Sequence, residues 1–236
     1  MRESAQRTAP CALARVAAAA GLIALALPAA VHAQGIGGTL GGFNVQRRVY
    51  YGAVVYEQTG LMYGAAGSVG LGPVLVEAGT LMGTLKGDGS PANPDADVRA
   101  TAVRIQLAIG PWTRLGAQVE ARRFEADAGV TVWRMIGAAA HVEPGLGMAG
   151  LRGFADVSVL PSSSVTDGPK LKVALQVAAG ASYSPPRSPL SLRLGYRFER
   201  YDIEASGLTG ERFEQFRGIV VEAGIGLGRQ TGRSER

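Results

Sequence analysis

Apolar and polar residues alternate with period two along most of the chain. In 171–183, Leu171, Val173, Leu175, Val177, Ala179, Ala181 and Tyr183 form one row, and Lys172, Ala174, Gln176, Ala178, Gly180 and Ser182 form the other. In 190–199, Leu190, Leu192, Leu194, Tyr196 and Phe198 stand against Ser191, Arg193, Gly195, Arg197 and Glu199. Val103, Ile105, Leu107 and Ile109 alternate with Arg104, Gln106 and Ala108, and Leu115, Ala117, Val119 and Ala121 with Gly116, Gln118, Glu120 and Arg122. Near the end, Ile219, Val221, Ala223, Ile225 and Leu227 alternate with Val220, Glu222, Gly224 and Gly226. Successive side chains of a strand point to opposite faces, so each stretch predicts a strand with one apolar and one polar face.

Strands are expected near 74–86, 98–110, 114–126, 130–142, 148–160, 170–184, 190–204 and 215–228, which is eight. The segment 46–70 would add a hairpin, 46–57 and 61–70, to make ten. Ten is favoured because 49–56 is rich in strand formers. The breaks at 70–73, 110–113, 143–147 and 184–189 are short, while 87–97, 161–169 and 205–214 are longer and polar. Short turns at one end and long loops at the other predict a membrane barrel with its short turns in the periplasm.

The first 33 residues do not fit this pattern. Arg2, Arg7 and Arg15 precede an apolar run at 16–27, and Val31-His32-Ala33 follows it, as in a secretory signal peptide. The run is shorter than the ~20 residues of a membrane helix. The expected organisation is a signal peptide at 1–33, an N-terminal segment at 34–45, the barrel at 46–228 and a basic tail at 229–236. Removing the signal takes away three arginines and one glutamate, so the formal charge falls from +5 to +3. This small excess gives no reason to expect nucleic acid. The single cysteine, Cys11, leaves with the signal, so the exported chain has neither disulfides nor thiolate metal sites. No metal or cofactor is expected.

The expected strands run about 11–14 residues, above the ~5–6 of globular sheets and enough for the ~9–11 of a tilted membrane strand. Trp112 and Tyr183 flank the short turns, and Trp133, Phe198 and Phe216 fall towards the opposite ends; these five are expected to form interfacial girdles. Backbone groups in lipid must be paired, so the sheet has to close. The lumen of eight to ten strands is narrow enough for side chains to fill. Glu77, Arg104, Glu120, Arg122, Arg193, Arg197, Glu199 and Glu222 are expected to line it as a paired charge network, with the aliphatic rows facing lipid.

With 192–201, Leu-Arg-Leu-Gly-Tyr-Arg-Phe-Glu-Arg-Tyr, and the terminal strand 219–227, the chain resembles small bacterial outer-membrane β-barrel proteins. The likeness is one of pattern over 46–228, without a diagnostic motif. It implies an all-β, single antiparallel up-and-down barrel, inserted into outer-membrane lipid by the assembly machinery. A monomer is expected.

Chemistry is scarce. His141 is the only histidine outside the signal. Asp156 and Ser158 share a face of the next expected strand, which suggests a triad. On the expected strand boundaries His141 lies at one end of the sheet and the other two near the far end, a ladder offset of about 12 residues at ~3.3 Å each. No enzyme is therefore expected. Asp88, Asp95 and Asp97 read as hydrated loop acids. The reading is a structural barrel or narrow, porin-like pore, with passage of small solutes left open. The alternatives are a recognition barrel working through loops 87–97, 161–169 and 205–214, and a soluble periplasmic barrel holding an apolar ligand inside.

Overall fold

The computed structural model describes residues 35–90, 92–126, 129–166, 170–204 and 212–227. The proposed signal peptide and the 229–236 tail lie outside these. The strands are β1 (Gly35–Tyr51), β2 (Val54–Leu71), β3 (Val74–Lys86), β4 (Ala96–Ala108), β5 (Thr113–Ala126), β6 (Gly129–Val142), β7 (Leu151–Thr166), β8 (Leu171–Tyr183), β9 (Leu190–Ile203) and β10 (Arg212–Leu227). Each pairs antiparallel with its neighbours in sequence, and β10 pairs with β1 from Ile36↔Leu227 to Tyr51↔Arg212. The result is a closed ten-stranded barrel with no free edge, as a lipid environment requires. Gly35 and Leu227 lie at one end, here the terminal end; the opposite end is the distal end.

Several expected boundaries move. The segment 34–45, expected to precede the barrel, supplies the first part of β1, paired with both β2 and β10. The first hairpin turns at Gly52-Ala53, not near residue 59. Gly52 has φ 56°, which suits the first position of a two-residue II′ turn. At Gly60, where the expected turn would lie, a Cβ would stand 2.3 Å from the Thr84 carbonyl oxygen, so this glycine answers a close strand approach. The segment 161–166, expected as loop, continues β7, while 167–169 and 205–211 lie outside the described residues. The expected contrast of connection lengths is absent. The eight residues Glu143 to Gly150 separate β6 from β7 at the terminal end, whereas only two separate β1 from β2 at the distal end.

The wall is apolar outside over its terminal part. On β9, Leu190, Leu192, Leu194 and Tyr196 are 50–57% exposed, while Glu199 on the inner row is fully buried. On β10, Ile219, Val221, Ile225 and Leu227 point out and Glu222 points in. The nine residues from Ile219 to Leu227 run roughly 26 Å along the strand. At a tilt of ~40° they cross about 20 Å, close to the ~25 Å apolar band of a membrane barrel. A soluble barrel with its apolar rows inside is excluded by this orientation. The protein is an outer-membrane-type transmembrane β-barrel.

The strands, of 13 to 18 residues, outrun that band at the distal end, and there the polarity of the wall reverses. Arg48, Glu57, Lys86, Asp97, Arg99, Arg123, Glu125, Arg134, Arg200, Asp202 and Arg217 point outwards. Between them Phe43, Met62, Leu85, Phe124, Trp133, Leu160, Tyr201 and Phe216 turn inwards as one buried cluster. Charge outside and carbon inside is the polarity of a water-soluble domain, so the barrel protrudes from the bilayer at this end.

That reversal corrects the aromatic girdle. Trp112 and Tyr183 stand exposed on the terminal rim, and Phe198 lies half-exposed on the outer wall. Trp133 (2% exposed) and Phe216 (0%) are instead core residues of the distal lumen. Each alternates with outward polar residues, Arg134 beside Trp133 and Gln215 and Arg217 beside Phe216, so the aromatic ring takes the inner face. Lys172, expected on the lumen row of β8, points out. A bulge between Leu171 and Val173 shifts the alternation by one residue and turns Leu171 inwards.

Candidate functional site

The lumen is built in layers. Two of its walls differ in kind: β1 to β3 contribute small residues, including Gly41, Gly64 and Gly79, and β4, β5, β7, β9 and β10 contribute the charges. Between them lies a cavity of about 240 Å³ lined by Ala102, Arg104, Glu120, Asp156, Arg193, Arg197 and Glu222, among others. The small residues have a second cause at Gly64, where a Cβ would come within 2.1 Å of the Thr80 carbonyl oxygen on the neighbouring strand.

Asp156 is the hub on the terminal side of this cavity. Its Oδ1 accepts from Arg104 Nη1 at 3.1 Å and lies 3.0 Å from His141 Nδ1, and its Oδ2 accepts from Arg193 Nη2 at 3.0 Å. Arg193 also reaches Glu222 at 3.3 Å. Arg104 donates twice to Gln118 Oε1, whose amide nitrogen donates to Glu120 and Gln176. Gln176 donates to Glu120 Oε2 at 2.7 Å and to the Tyr201 hydroxyl at 3.1 Å. Arg122 closes the network: Nε donates to Glu120 at 3.1 Å and Nη1 lies 2.5 Å from Glu199 Oε2. Glu199 also accepts from Tyr201 and pairs with Arg197 at 2.5 Å. Arg122, Glu120 and Glu199 are each at most 2% exposed, so their charges depend on one another rather than on water.

Seven of the eight expected lumen charges therefore meet in this paired network: Arg104, Glu120, Arg122, Arg193, Arg197, Glu199 and Glu222. Glu77 faces the lumen opposite Arg104 in register, but Arg104 turns to Gln118 and Asp156. Glu77 lines a second cavity of about 320 Å³ at the terminal mouth, with Arg114, His141, Glu143 and Arg152. Asp156, Gln118, Gln176 and Tyr201 were the members that alternation alone did not single out. Gln118 and Gln176 lay on the right rows, but nothing in their spacing marks them as bridging amides.

The His141–Asp156 contact corrects the expected separation of these residues. β7 does not return tightly on β6. Val142 pairs with Ala155, His141 with Asp156 and Ala139 with Ser158, because Glu143 to Phe154 extend past the end of β6. The slip brings Asp156 down to the histidine. It does not make a triad, since Ser158 Oγ donates to Gln118 at 3.0 Å and not to the imidazole. Glu143 lies outside the strands, on the other side of His141. Burial raises its carboxyl pKa, but the His141 imidazole at 3.7 Å, the Ser182 hydrogen bond and nearby Arg193 outweigh that and hold it at about 2. Ser182 Oγ donates to Glu143 at 2.7 Å.

Beyond Glu199 the lumen becomes carbon. Phe124, Trp133, Tyr201 and Phe216 pack with ring centroids 4.8–5.9 Å apart. Phe216 sits between two guanidinium groups, Arg122 at 5.1 Å from its centroid and Arg47 at 5.6 Å. Arg47 is held in turn by Glu214 at 2.6 Å and by Gln58 at 2.6 Å. A polar network and an apolar plug thus follow one another along the barrel axis.

No family model matches the chain, and no curated protein matches it in sequence. Among solved structures it is similar to neisserial surface protein A, at 13% identity and TM-score 0.38 over 80% of this chain and 96% of that one. It is also similar to the translocator domain of the autotransporter NalP from Neisseria meningitidis, at 14% identity and TM-score 0.46 over 90% and 97% of the two chains. A third is Ail, the attachment invasion locus protein of Yersinia pestis, at 12% identity and TM-score 0.34 over 82% of this chain and 99% of that one. Likeness this distant says nothing about activity.

Proposed function

We propose that this protein is a structural, non-conducting outer-membrane barrel, anchored by its aliphatic band and closed to solutes by its own side chains. The observation behind this reading is the distal plug. Phe43, Met62, Leu85, Phe124, Trp133, Leu160, Tyr201 and Phe216 are all at most 7% exposed and occupy the lumen of a closed sheet. An ion crossing that layer would lose its hydration without gaining polar ligands. The layer below it is paired charge rather than open water. On this reading the terminal end, with Gly35 and Leu227, faces the periplasm, and the lumen has no catalytic role. Insertion by the outer-membrane assembly machinery and a monomeric state belong to the same reading.

Planar-bilayer recording tests it. Purified protein inserted from detergent should give no stable unitary conductance steps, while replacing Phe124, Trp133 and Phe216 together by Ala should produce them. Reproducible ohmic steps from the unmodified protein would establish a porin-like pore and refute the proposal.

A further inference from the structure

The outer wall carries an arrangement that the barrel's own packing does not explain. On the distal collar, Arg99 of β4 stands directly opposite Arg123 of β5, and both side chains are exposed. Like charges facing each other across a strand pair are destabilising. Arg123 has one carboxylate, Glu125, at 2.9 Å on its own strand. Arg99 has no ion-pair or hydrogen-bond partner among the described residues. The nearest acids do not resolve the conflict. Asp97 and Glu125 also face each other, one row further out; Glu125 is held by Arg123, and Asp97 accepts from the Thr84 hydroxyl.

The residues on the membrane side of this pair form a seat. Ala121 points outwards one row closer to the bilayer, flanked in register by Thr101 on β4 and Arg134 on β6. Around this small side chain the register places Thr101, Arg99, Arg123 and Arg134 as outward-facing neighbours on three adjacent strands, Arg134 also having a contact within the barrel. Directly below come Val103, Val119 and Ile136, each 42–51% exposed, which begin the apolar band. The basic triangle therefore sits at the height where acyl chains give way to headgroups. An anion reaching it from the bilayer would neutralise the facing arginines and leave its chains against the aliphatic wall. Guanidinium suits this, because its fork of N–H donors matches phosphate oxygens.

We infer that Arg99, Arg123 and Arg134, with Thr101, form a binding site on the outer wall of the barrel for the phosphate of an anionic membrane lipid headgroup, one whose charge is not neutralised by a choline ammonium. Occupancy removes the Arg99–Arg123 repulsion, so the lipid stabilises the folded barrel and fixes its depth in the leaflet at the distal end.

The test uses the full-length protein in nanodiscs of phosphatidylcholine, with or without phosphatidic acid, whose headgroup is a bare phosphate monoester. The thermal unfolding midpoint is read from heat-modifiable gel migration, and lipid retention from native mass spectrometry. Phosphatidic acid should raise the midpoint of the unmodified protein. Arg99→Gln should raise the midpoint in phosphatidylcholine alone, since it relieves the repulsion. The same change should cut the phosphatidic acid increment and lower retention roughly tenfold, as expected for loss of one charge-assisted contact. Arg200→Gln, elsewhere on the collar and paired with Asp202, should leave the increment intact. The inference fails if Arg99→Gln and Arg123→Gln both keep the full increment, or if Arg200→Gln reduces it equally, which would indicate a diffuse surface-charge effect. It also fails if inorganic phosphate in phosphatidylcholine discs reproduces the increment, because the ligand would then be a free anion.

Discussion

Replacing Arg122 by Ala tests whether the lumen is closed and dry. The side chain is 1% exposed, with Nη1 2.5 Å from Glu199 and Nη2 3.0 Å from Glu120. Its guanidinium lies 4.9 Å from the Tyr201 ring centroid and 5.1 Å from that of Phe216. Removing one partner of a buried ion pair costs about 3–5 kcal/mol, because the remaining charge stays buried and unmatched. Here Glu199 keeps Arg197 and the Tyr201 hydroxyl, and Glu120 keeps two glutamine contacts, so the lower part of that range, about 3 kcal/mol, is expected. The comparison is Arg200→Ala on the outer collar, whose pair with Asp202 is about 40% exposed on each side. A solvated pair of that kind is worth at most about 1 kcal/mol. Both variants can be unfolded by urea in phosphatidylcholine vesicles and followed by the fluorescence of Trp133, which is opposite Arg122 in register, in a Trp112→Phe background. Arg122→Met, which keeps most of the volume, separates lost charge from lost packing. If Arg122→Ala and Arg200→Ala shift stability by the same amount, water reaches the network, and the argument for a sealed lumen collapses.

Three further outcomes follow from the same geometry. Leu194→Arg places a charge on the middle of the lipid-facing row, where Leu194 is 56% exposed, and should destabilise the inserted barrel by about 2–4 kcal/mol in vesicle unfolding; a neutral effect would mean that this row does not meet lipid. Gly218→Ala puts a methyl group 1.7 Å from the Asn44 carbonyl and should lower stability by about 1–3 kcal/mol, whereas Gly42→Ala, with only ordinary contacts at 3.8 Å or more, should change it little; equal urea midpoints would refute the close strand approach. The folded Glu143 carboxyl, held at about 2, lies below its unfolded value of 4.5, so its stabilisation is present above pH 4.5 and is lost as pH falls towards 2. Glu143→Gln should flatten that part of the stability–pH curve, by no more than about 3 kcal/mol; an unchanged acid limb would show that other carboxylates govern it.

Alternation in the sequence determined strand identity and, strand by strand, which residues share a face. The period is two wherever the backbone is extended, so Leu192, Leu194 and Tyr196 cannot face with Arg193 and Arg197. The aliphatic band and the inward facing of the eight lumen charges were legible for that reason, whereas Glu77 standing apart from the paired network was not. Three further features were not, and each depends on how strands meet. The offset between β6 and β7, which carries Asp156 to His141, is a property of pairing between strands and leaves no mark on either one. The bulge beside Lys172 resets the alternation by one residue, which the sequence pattern passes over as continuous. The distal reversal, which takes Trp133 and Phe216 out of the expected girdle and into the plug, follows from where the bilayer ends along strands longer than its thickness. Local periodicity specifies two faces; only closure of the sheet, with its register and its height in the membrane, decides what each face touches.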